Sequence, residues 1–264
     1  MRITTRIVFS YWHDSLESAP ELLKQCHLTW CVKNPQWEFL VLDSETYKEY
    51  VDPKYHALLE RWRVSNNMTP QSFTDILRLL LLHEHGGLWI DMSCLCIRPL
   101  DEFLPMLPTI QGLSLPFYRL VDGERQIDNW FIAVESKGNS LLTAMIDDSL
   151  EYLSVDQIPA IRTRIGRKLQ RLTQKSVSRT RWWLSPLLAR HLKLRPYFWF
   201  QYLAWHKHLK DHIDTSDLLA RGAIDAGESN IKYLGSGLGD SDFRAYIDSE
   251  ESPPLAKLKW KNVV

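Results

Sequence analysis

Residues 69–100 read TPQSFTDILRLLLLHEHGGLWIDMSCLCIRPL, and no other stretch restricts the fold of this chain as strongly. Thr69-Pro70 is a helix start, with Thr as the cap and Pro inside the first turn. Ile76, Leu77, Leu79, Leu80, Leu81 and Leu82 make the helix that follows apolar nearly all round, so it has to be buried. Gly86-Gly87 ends the helix, and 88–97 follows at once as a strand.

The lengths of these two elements set where their polar residues meet. From Asp75 to Gly86 the helix runs out about 16 Å, at about 1.5 Å per residue. From Gly86 to Asp91 the strand comes back about the same distance, at about 3.3 Å per residue. Asp75 and Asp91 therefore sit at the same end of the unit, and Arg78 shares the helix face of Asp75. Two carboxylates and a guanidinium converge at the C-terminal end of a strand, where open α/β sheets bind ligands. A buried Asp and Arg must be paired or used. The alternative is an ion pair internal to the helix, with Asp91 simply ending the strand.

The rest of the chain alternates in the same way. Strands are expected over 3–12, 37–42 and 129–134. Helices are expected from the Ser18-Ala19-Pro20-Glu21 start to about Val32, over 44–62 in two pieces around Pro53, and over 140–153. This alternation argues for an α/β fold. Lys plus Arg is 32 and Asp plus Glu is 32, which weighs against a wholly basic nucleic-acid binder, and no nucleic-acid partner is expected. No apolar run reaches the roughly 18 residues of a membrane span. The richest, 73–90, is broken by Asp75, Arg78, His83, Glu84 and His85. The segment Met1–Arg6 leads into only a few apolar residues, which does not read as a secretory leader. Cys26, Cys31, Cys94 and Cys96 lack the spacing of a structural zinc site and read as free thiols of a cytoplasmic protein.

The neutral total hides an uneven distribution. Residues 157–210 hold 13 Lys or Arg and no acidic residue, whereas 211–251 hold ten acidic residues against Arg221, Lys232 and Arg244. Ile158, Ile161, Ile165, Leu169 and Leu172 recur at spacings of three and four, an amphipathic helix with Arg162, Arg164, Arg167, Lys168, Arg171 and Lys175 mostly on its other faces. Either this is a core helix with a solvated basic side, or it docks on anionic lipid or a charged acceptor.

The pattern D-x2-R-x7-G-G-x3-D at Asp75, Arg78, Gly86, Gly87 and Asp91 resembles glycosyltransferase family 32, in particular its capsular polysaccharide synthesis branch. Further blocks carry the likeness. They are Ile7-Val8-Phe9-Ser10-Tyr11-Trp12, Pro20-Glu21-Leu22 through Trp30 with Asn34-Pro35, Asn129-Trp130-Phe131-Ile132-Ala133, and Lys257-Leu258-Lys259-Trp260-Lys261. The resemblance implies a GT-A fold, Rossmann-like and binding a nucleotide-diphospho-sugar, with a C-terminal helical extension. One domain would span 1–264, with 1–150 the donor-binding core and 151–264 a helical, basic acceptor side ending in a closing segment.

It also implies transfer of a sugar, with retention, from a nucleoside-diphosphate sugar to a saccharide or lipid-linked saccharide acceptor in capsular polysaccharide or lipopolysaccharide synthesis. The setting would be bacterial cytoplasm, and the basic 157–210 segment offers a peripheral contact with the inner face of an anionic membrane. By the match, Asp75, Arg78 and Asp91 are catalytic or hold the donor sugar, and Asp128 and Asn129 face the acceptor or the reacting sugar. Tyr11 and Trp12 would meet the nucleobase, and Lys257, Trp260 and Lys261 would close over the diphosphate.

A divalent metal, Mn or Mg, is implied at Asp91 and Ser93. Relatives carry a second Asp where Ser93 stands, so weak metal binding is expected. A literal D-x-D at Asp240-Ser241-Asp242 is either a solvated loop or a supplementary ligand. Two other readings remain: a non-catalytic sugar-nucleotide or glycan-binding protein with a degenerate metal site, and a glycoside hydrolase using two carboxylates.

Overall fold

The structure is a computed structural model that describes residues 1–118, 126–213, 224–225, 230–232 and 253–259. In chain order its elements are β1 (Ile7–Tyr11), α1 (Glu21–Lys33), β2 (Glu38–Leu42), α2 (His56–Val64), α3 (Pro70–His85), β3 (Gly87–Ile90), β4 (Cys94–Cys96) and α4 (Leu100–Phe103). Next come β5 (Leu113–Ser114), β6 (Phe117–Tyr118), β7 (Phe131–Val134), α5 (Ser140–Tyr152), β8 (Ile158–Pro159), α6 (Arg164–Thr173), α7 (Val177–Thr180), β9 (Leu194–Arg195) and α8 (Trp199–Leu203). The last described strands are β10 (Ile224–Asp225), β11 (Asn230–Lys232) and β12 (Leu255–Lys259).

The central sheet has the order β2-β1-β3-β7-β5. Strand β1 runs parallel to β2 and β3, while β7 is antiparallel to both β3 and β5. The fold is therefore mixed α/β with a parallel-led sheet, as the alternation predicts. Helix α3 begins where expected: the Thr69 side chain accepts the Ser72 N–H at 3.2 Å, and Gly86 returns its N–H to the Leu82 carbonyl. Its leucines join the main core with Phe9, Trp89, Ile132 and Val134. Each such buried side chain is worth about 1.5–3 kcal/mol. Trp199, Phe200, Leu203, Ala204 and Trp205 belong to the same core, so the late helical segment is packed into the early α/β unit.

Gly87 fixes how tightly the helix hands over to the sheet. Its φ is +82°, and a Cβ there would lie 2.4 Å from the Ile7 carbonyl oxygen of the neighbouring strand. Only glycine allows both the left-handed turn and that approach.

Four expectations need correction. Ser18 does not cap α1: its hydroxyl donates to the Ser15 carbonyl, and the helix starts at Glu21 after Pro20 without a side-chain cap. The region 44–62 starts not as α-helix but as a 3-10 turn at Thr46–Glu49, with α2 forming only after Pro53–Tyr55. The strand over 88–97 is two strands. A turn closed by the Cys94 N–H on the Asp91 carbonyl breaks it, and β4 joins a different sheet, in the order β11-β12-β4.

The fourth correction concerns the amphipathic stretch. Ile158 lies in β8, Ala160–Arg162 is a 3-10 turn, and the helix starts only after Thr163, whose hydroxyl accepts the Gly166 N–H. The buried face of α6 is Gly166, Gln170 and Thr173, not the apolar stripe. A Cβ on Gly166 would lie 2.3 Å from the Ala160 carbonyl oxygen, so this close approach selects the inward face. Ile165, Leu169 and Leu172 are left about 100° to one side, with Ile165 65% and Leu172 42% exposed. Arg164, Arg167, Lys168 and Arg171 occupy the outer side.

Candidate active site

Strands β1 and β3 are parallel neighbours, so their C-terminal ends face the same way. Tyr11 and Trp12 leave the first of these ends and Asp91 leaves the second. A cleft of 320 Å³ opens there, lined by Tyr11, Trp12, His13, Asp14, Leu23, Pro70, Gln71, Thr74, Asp91, Met92, Ser93 and Lys257. Trp12 packs against a small apolar group of Ala19, Leu23 and Met92. The Tyr11 hydroxyl lies 3.1 Å from His13 Nδ1, and burial pushes its phenol up to about 12.

Beneath the cleft the helix–strand unit delivers its charges as the lengths require. Arg78 Nη2 lies 3.3 Å from Asp75 Oδ1 and 3.5 Å from Asp91 Oδ1. Asp75 and Arg78 are 5% and 4% exposed. The guanidinium is held on every side: Nε donates to the Thr74 carbonyl, Nη1 to the Asn129 carbonyl, and the Trp89 ring lies 4.9 Å from Cζ. Trp89 also donates its indole N–H to Asp91 Oδ1 at 3.0 Å. Trp89 stands two residues before Asp91, and the alternation of β3 carried one residue past Ile90 puts both side chains on one face, a signal the sequence contains.

Asn129 Nδ2 donates to Asp75 Oδ1 at 2.7 Å, and Gln201 Nε2 donates to Asn129 Oδ1 at 2.9 Å. The chain of bonds fixes the amide orientation, because an ionised Asp75 can only accept. Asp128, buried beside Asn129, donates its backbone N–H to the Phe117 carbonyl, and Asn129 reaches Asp75 through its side-chain amide. Gln201 and Trp199, whose indole donates to Ser72 Oγ at 3.2 Å, were not foreseen. They lie 72 and 127 residues from their partners, and no local pattern announces such contacts.

The last described strand completes the site. Lys257 pairs with Cys94 in the β12–β4 register, and the Leu258 N–H bonds the Ser93 carbonyl at 2.8 Å. Lys257 Nζ then lies 2.7 Å from Asp91 Oδ2. The predicted blocks around Trp30 and Asn34 hold β4 from the other side: Trp30 Nε1 donates to the Cys94 carbonyl, and Asn34 Nδ2 donates to Cys96 Sγ at 3.5 Å. Trp260, Lys261 and Asp240-Ser241-Asp242 lie outside the described residues.

The two carboxylates respond to these surroundings in opposite directions. Burial pushes Asp75 up to about 6, against the pull of Arg78 and the Asn129 hydrogen bond. Burial also acts to raise Asp91, but Lys257, then Arg78, outweigh it and hold that carboxyl below its ordinary value. For Lys257, burial opposes the charge and Asp91 more than offsets it, so the ammonium is stabilised.

A resident divalent ion does not fit these residues. Both oxygens of Asp91 already face cations or donors, Lys257 on Oδ2 and Trp89 with Arg78 on Oδ1. Ser93 can add only a neutral hydroxyl. Among the described residues there is no group of three or more His, Cys, Asp and Glu that could hold a metal. The thiols are free, with Cys26, Cys94 and Cys96 buried and Cys31 half-buried. Among the described residues no helix is long and apolar enough to cross a membrane.

Comparison with known proteins gives partial relatives. The chain is 28% identical to O-glycosyltransferase PaGT of Phomopsis amygdali over 108 residues, which is 38% of this chain and 26% of that protein. It is 28% identical to glycosyltransferase afumC of Aspergillus fumigatus over 104 residues, 37% of this chain and 27% of that one. The chain thus spans about a quarter of the length of these curated relatives. Among solved structures it is similar to the PaToxG glycosyltransferase, at 13% identity and a TM-score of 0.45, covering 83% of this chain and 74% of that one. The family described as capsular polysaccharide synthesis protein matches residues 2–161, a span that holds β1 through β8 and every residue of the Asp75–Arg78–Asp91–Asn129 cluster. On that match, the chain belongs to the capsular polysaccharide synthesis protein family.

Proposed function

We propose that this chain is a glycosyltransferase of the GT-A type that moves a sugar from a nucleoside-diphosphate sugar to a saccharide acceptor, with retention, in capsular polysaccharide or lipopolysaccharide synthesis. Support comes from family membership, from relatives named as glycosyltransferases, and above all from one observation. Asp75, Arg78, Asp91, Asn129 and Lys257 come from four separate parts of the chain and converge under a cleft at the C-terminal ends of two parallel strands. Such a cleft suits a nucleotide.

In this reading Tyr11 and Trp12 offer rings to the nucleobase and Lys257 meets the diphosphate, a role the sequence resemblance extends to Trp260 and Lys261, outside the described residues. Asp91 and the Asp75–Arg78–Asn129 group orient the donor sugar, and Asp128 would face the acceptor or the reacting sugar. The anomeric C–O bond to the β-phosphate breaks, and its electron pair stays on the diphosphate. The acceptor oxygen bonds the anomeric carbon from the same face, and its proton passes to a departing phosphate oxygen. Buried Asp75 and Asp91 place negative charge near the oxocarbenium-like sugar. Residues 1–150 would bind donor, and 151–264 would serve the acceptor and close the site.

The test is release of nucleoside diphosphate from a panel of UDP-, GDP- and dTDP-sugars by the purified chain. One donor should be hydrolysed slowly without acceptor. Tight donor binding with no release would favour a non-catalytic binder. Sugar release from an oligosaccharide without any nucleotide would favour a hydrolase.

A second reading concerns where the enzyme works. The exposed Ile165 and Leu172 lie beside the Arg164, Arg167, Lys168 and Arg171 side of α6, an arrangement that complements an anionic bilayer. In this reading the protein would work as a peripheral protein at the inner face of the cytoplasmic membrane.

A further inference from the structure

The position a divalent ion would take in a D-x-D site is held here by side-chain charge. Asp91 Oδ2 accepts from Lys257 Nζ at 2.7 Å, and Oδ1 accepts from Trp89 Nε1 at 3.0 Å with Arg78 Nη2 at 3.5 Å. Ser93, which stands in the second acidic place, is buried and carries no charge. Asp75 is paired with Arg78 and Asp91 with Lys257, so the two carboxylates of the cluster are each met by a side-chain cation. A divalent cation would approach Asp91 against two cations already on it, and repulsion between like charges opposes this.

Lys257 is also placed to do more than neutralise Asp91. It lines the cleft, and its strand is pinned on both sides of it: Ala256 and Leu258 are buried, and the Leu258 N–H holds the Ser93 carbonyl. An ammonium carries three N–H donors. One goes to Asp91, and because Lys257 lines the cleft the ammonium has donors left over for an incoming diphosphate. Anions pair with an ammonium through short charge-assisted hydrogen bonds.

We infer that Lys257 takes the place of the divalent ion, so that this chain binds the nucleoside diphosphate of its donor without metal. This rests on the nucleoside-diphosphate-sugar reading of the cleft. Arg78, enclosed by Thr74, Asn129 and Trp89, supports Asp91 from below and leaves the diphosphate to Lys257.

The experiment is calorimetric titration of the purified chain with UDP, GDP and dTDP, in excess EDTA and in excess Mn²⁺. One of the three should bind with the same affinity in both conditions. Lys257→Met should weaken that binding by about tenfold or more in EDTA. Lys257→Arg keeps the charge and should retain it, which separates a lost ammonium from a lost strand. Ser93→Asp combined with Lys257→Met restores a two-carboxylate end without the competing cation, and should bind the nucleotide only with Mn²⁺. Wild-type binding that appears only with Mn²⁺ would overturn the inference and leave the nucleotide reading standing. Unchanged binding by Lys257→Met in EDTA would overturn it as well. Failure of all three nucleotides in both conditions would remove both.

Discussion

Replacing Asp75 by Asn should make the protein more stable at neutral pH and inactive. Burial raises the Asp75 carboxyl to about 6 from an ordinary value of 3.8, with Arg78 and Asn129 only partly opposing it. A shift of about two units corresponds to about 3 kcal/mol. Because the folded value lies above the unfolded one, the stability tied to the protonated form is fully present below pH 4 and is lost as pH rises through 6. At pH 7 the folded protein carries the whole cost of ionised Asp75. Asn cannot ionise, yet its carbonyl can still accept the Asn129 N–H. The stability of the variant relative to wild type should therefore grow by about 3 kcal/mol between pH 4 and pH 7. Asp91 does not confuse the window. Its depressed value gives a stability that is present above its unfolded pKa and lost only under more acidic conditions. Urea unfolding followed by tryptophan fluorescence at stepped pH, with equal slopes for the two proteins, measures the difference directly. A difference that stays flat from pH 4 to pH 7 would refute the reasoning.

Three further outcomes are expected. Asp91→Asn should abolish transfer and donor hydrolysis while leaving the circular-dichroism spectrum unchanged, and near-normal turnover would remove Asp91 from the mechanism. Changing Arg164, Arg167, Lys168 and Arg171 together to Gln should lower flotation with anionic vesicles but not donor hydrolysis; unaltered flotation would make the patch an ordinary solvated face. Gly87→Ala forces a Cβ to 2.4 Å from the Ile7 carbonyl oxygen at a φ of +82°, so it should cost about 3 kcal/mol or more. An unchanged melting temperature would show that β1 and β3 can separate without penalty.

The helix–glycine–strand unit was legible because three local signals agreed: the Thr69 cap, the apolar circumference of α3 and the Gly86-Gly87 stop. Its out-and-back lengths then placed Asp75, Arg78 and Asp91 together. What escaped the sequence was set by contacts distant along the chain. The strand after Gly87 breaks at Asp91 because β4 has a partner in β12, which periodicity cannot reveal. The apolar stripe of α6 predicted the wrong inward face because Gly166, the smallest side chain, sits against the Ala160 backbone. Gln201 was invisible for the same reason: its role depends on Asn129, which lies far back in the sequence.

The pairing of β12 with β4 also dictates an order of events during synthesis. Asp91 and Lys257 are 166 residues apart, so at translation rates of about 5–20 residues per second roughly ten seconds or more separate their emergence. Throughout that interval the β4 edge has no antiparallel neighbour, and Asp91 has only Arg78 and Trp89 to answer it. A ribosome-bound chain can thus build its central sheet early and still lack a competent site. A fragment ending before Leu255 would lose a strand and a charge together, and its open edge would invite association with other chains.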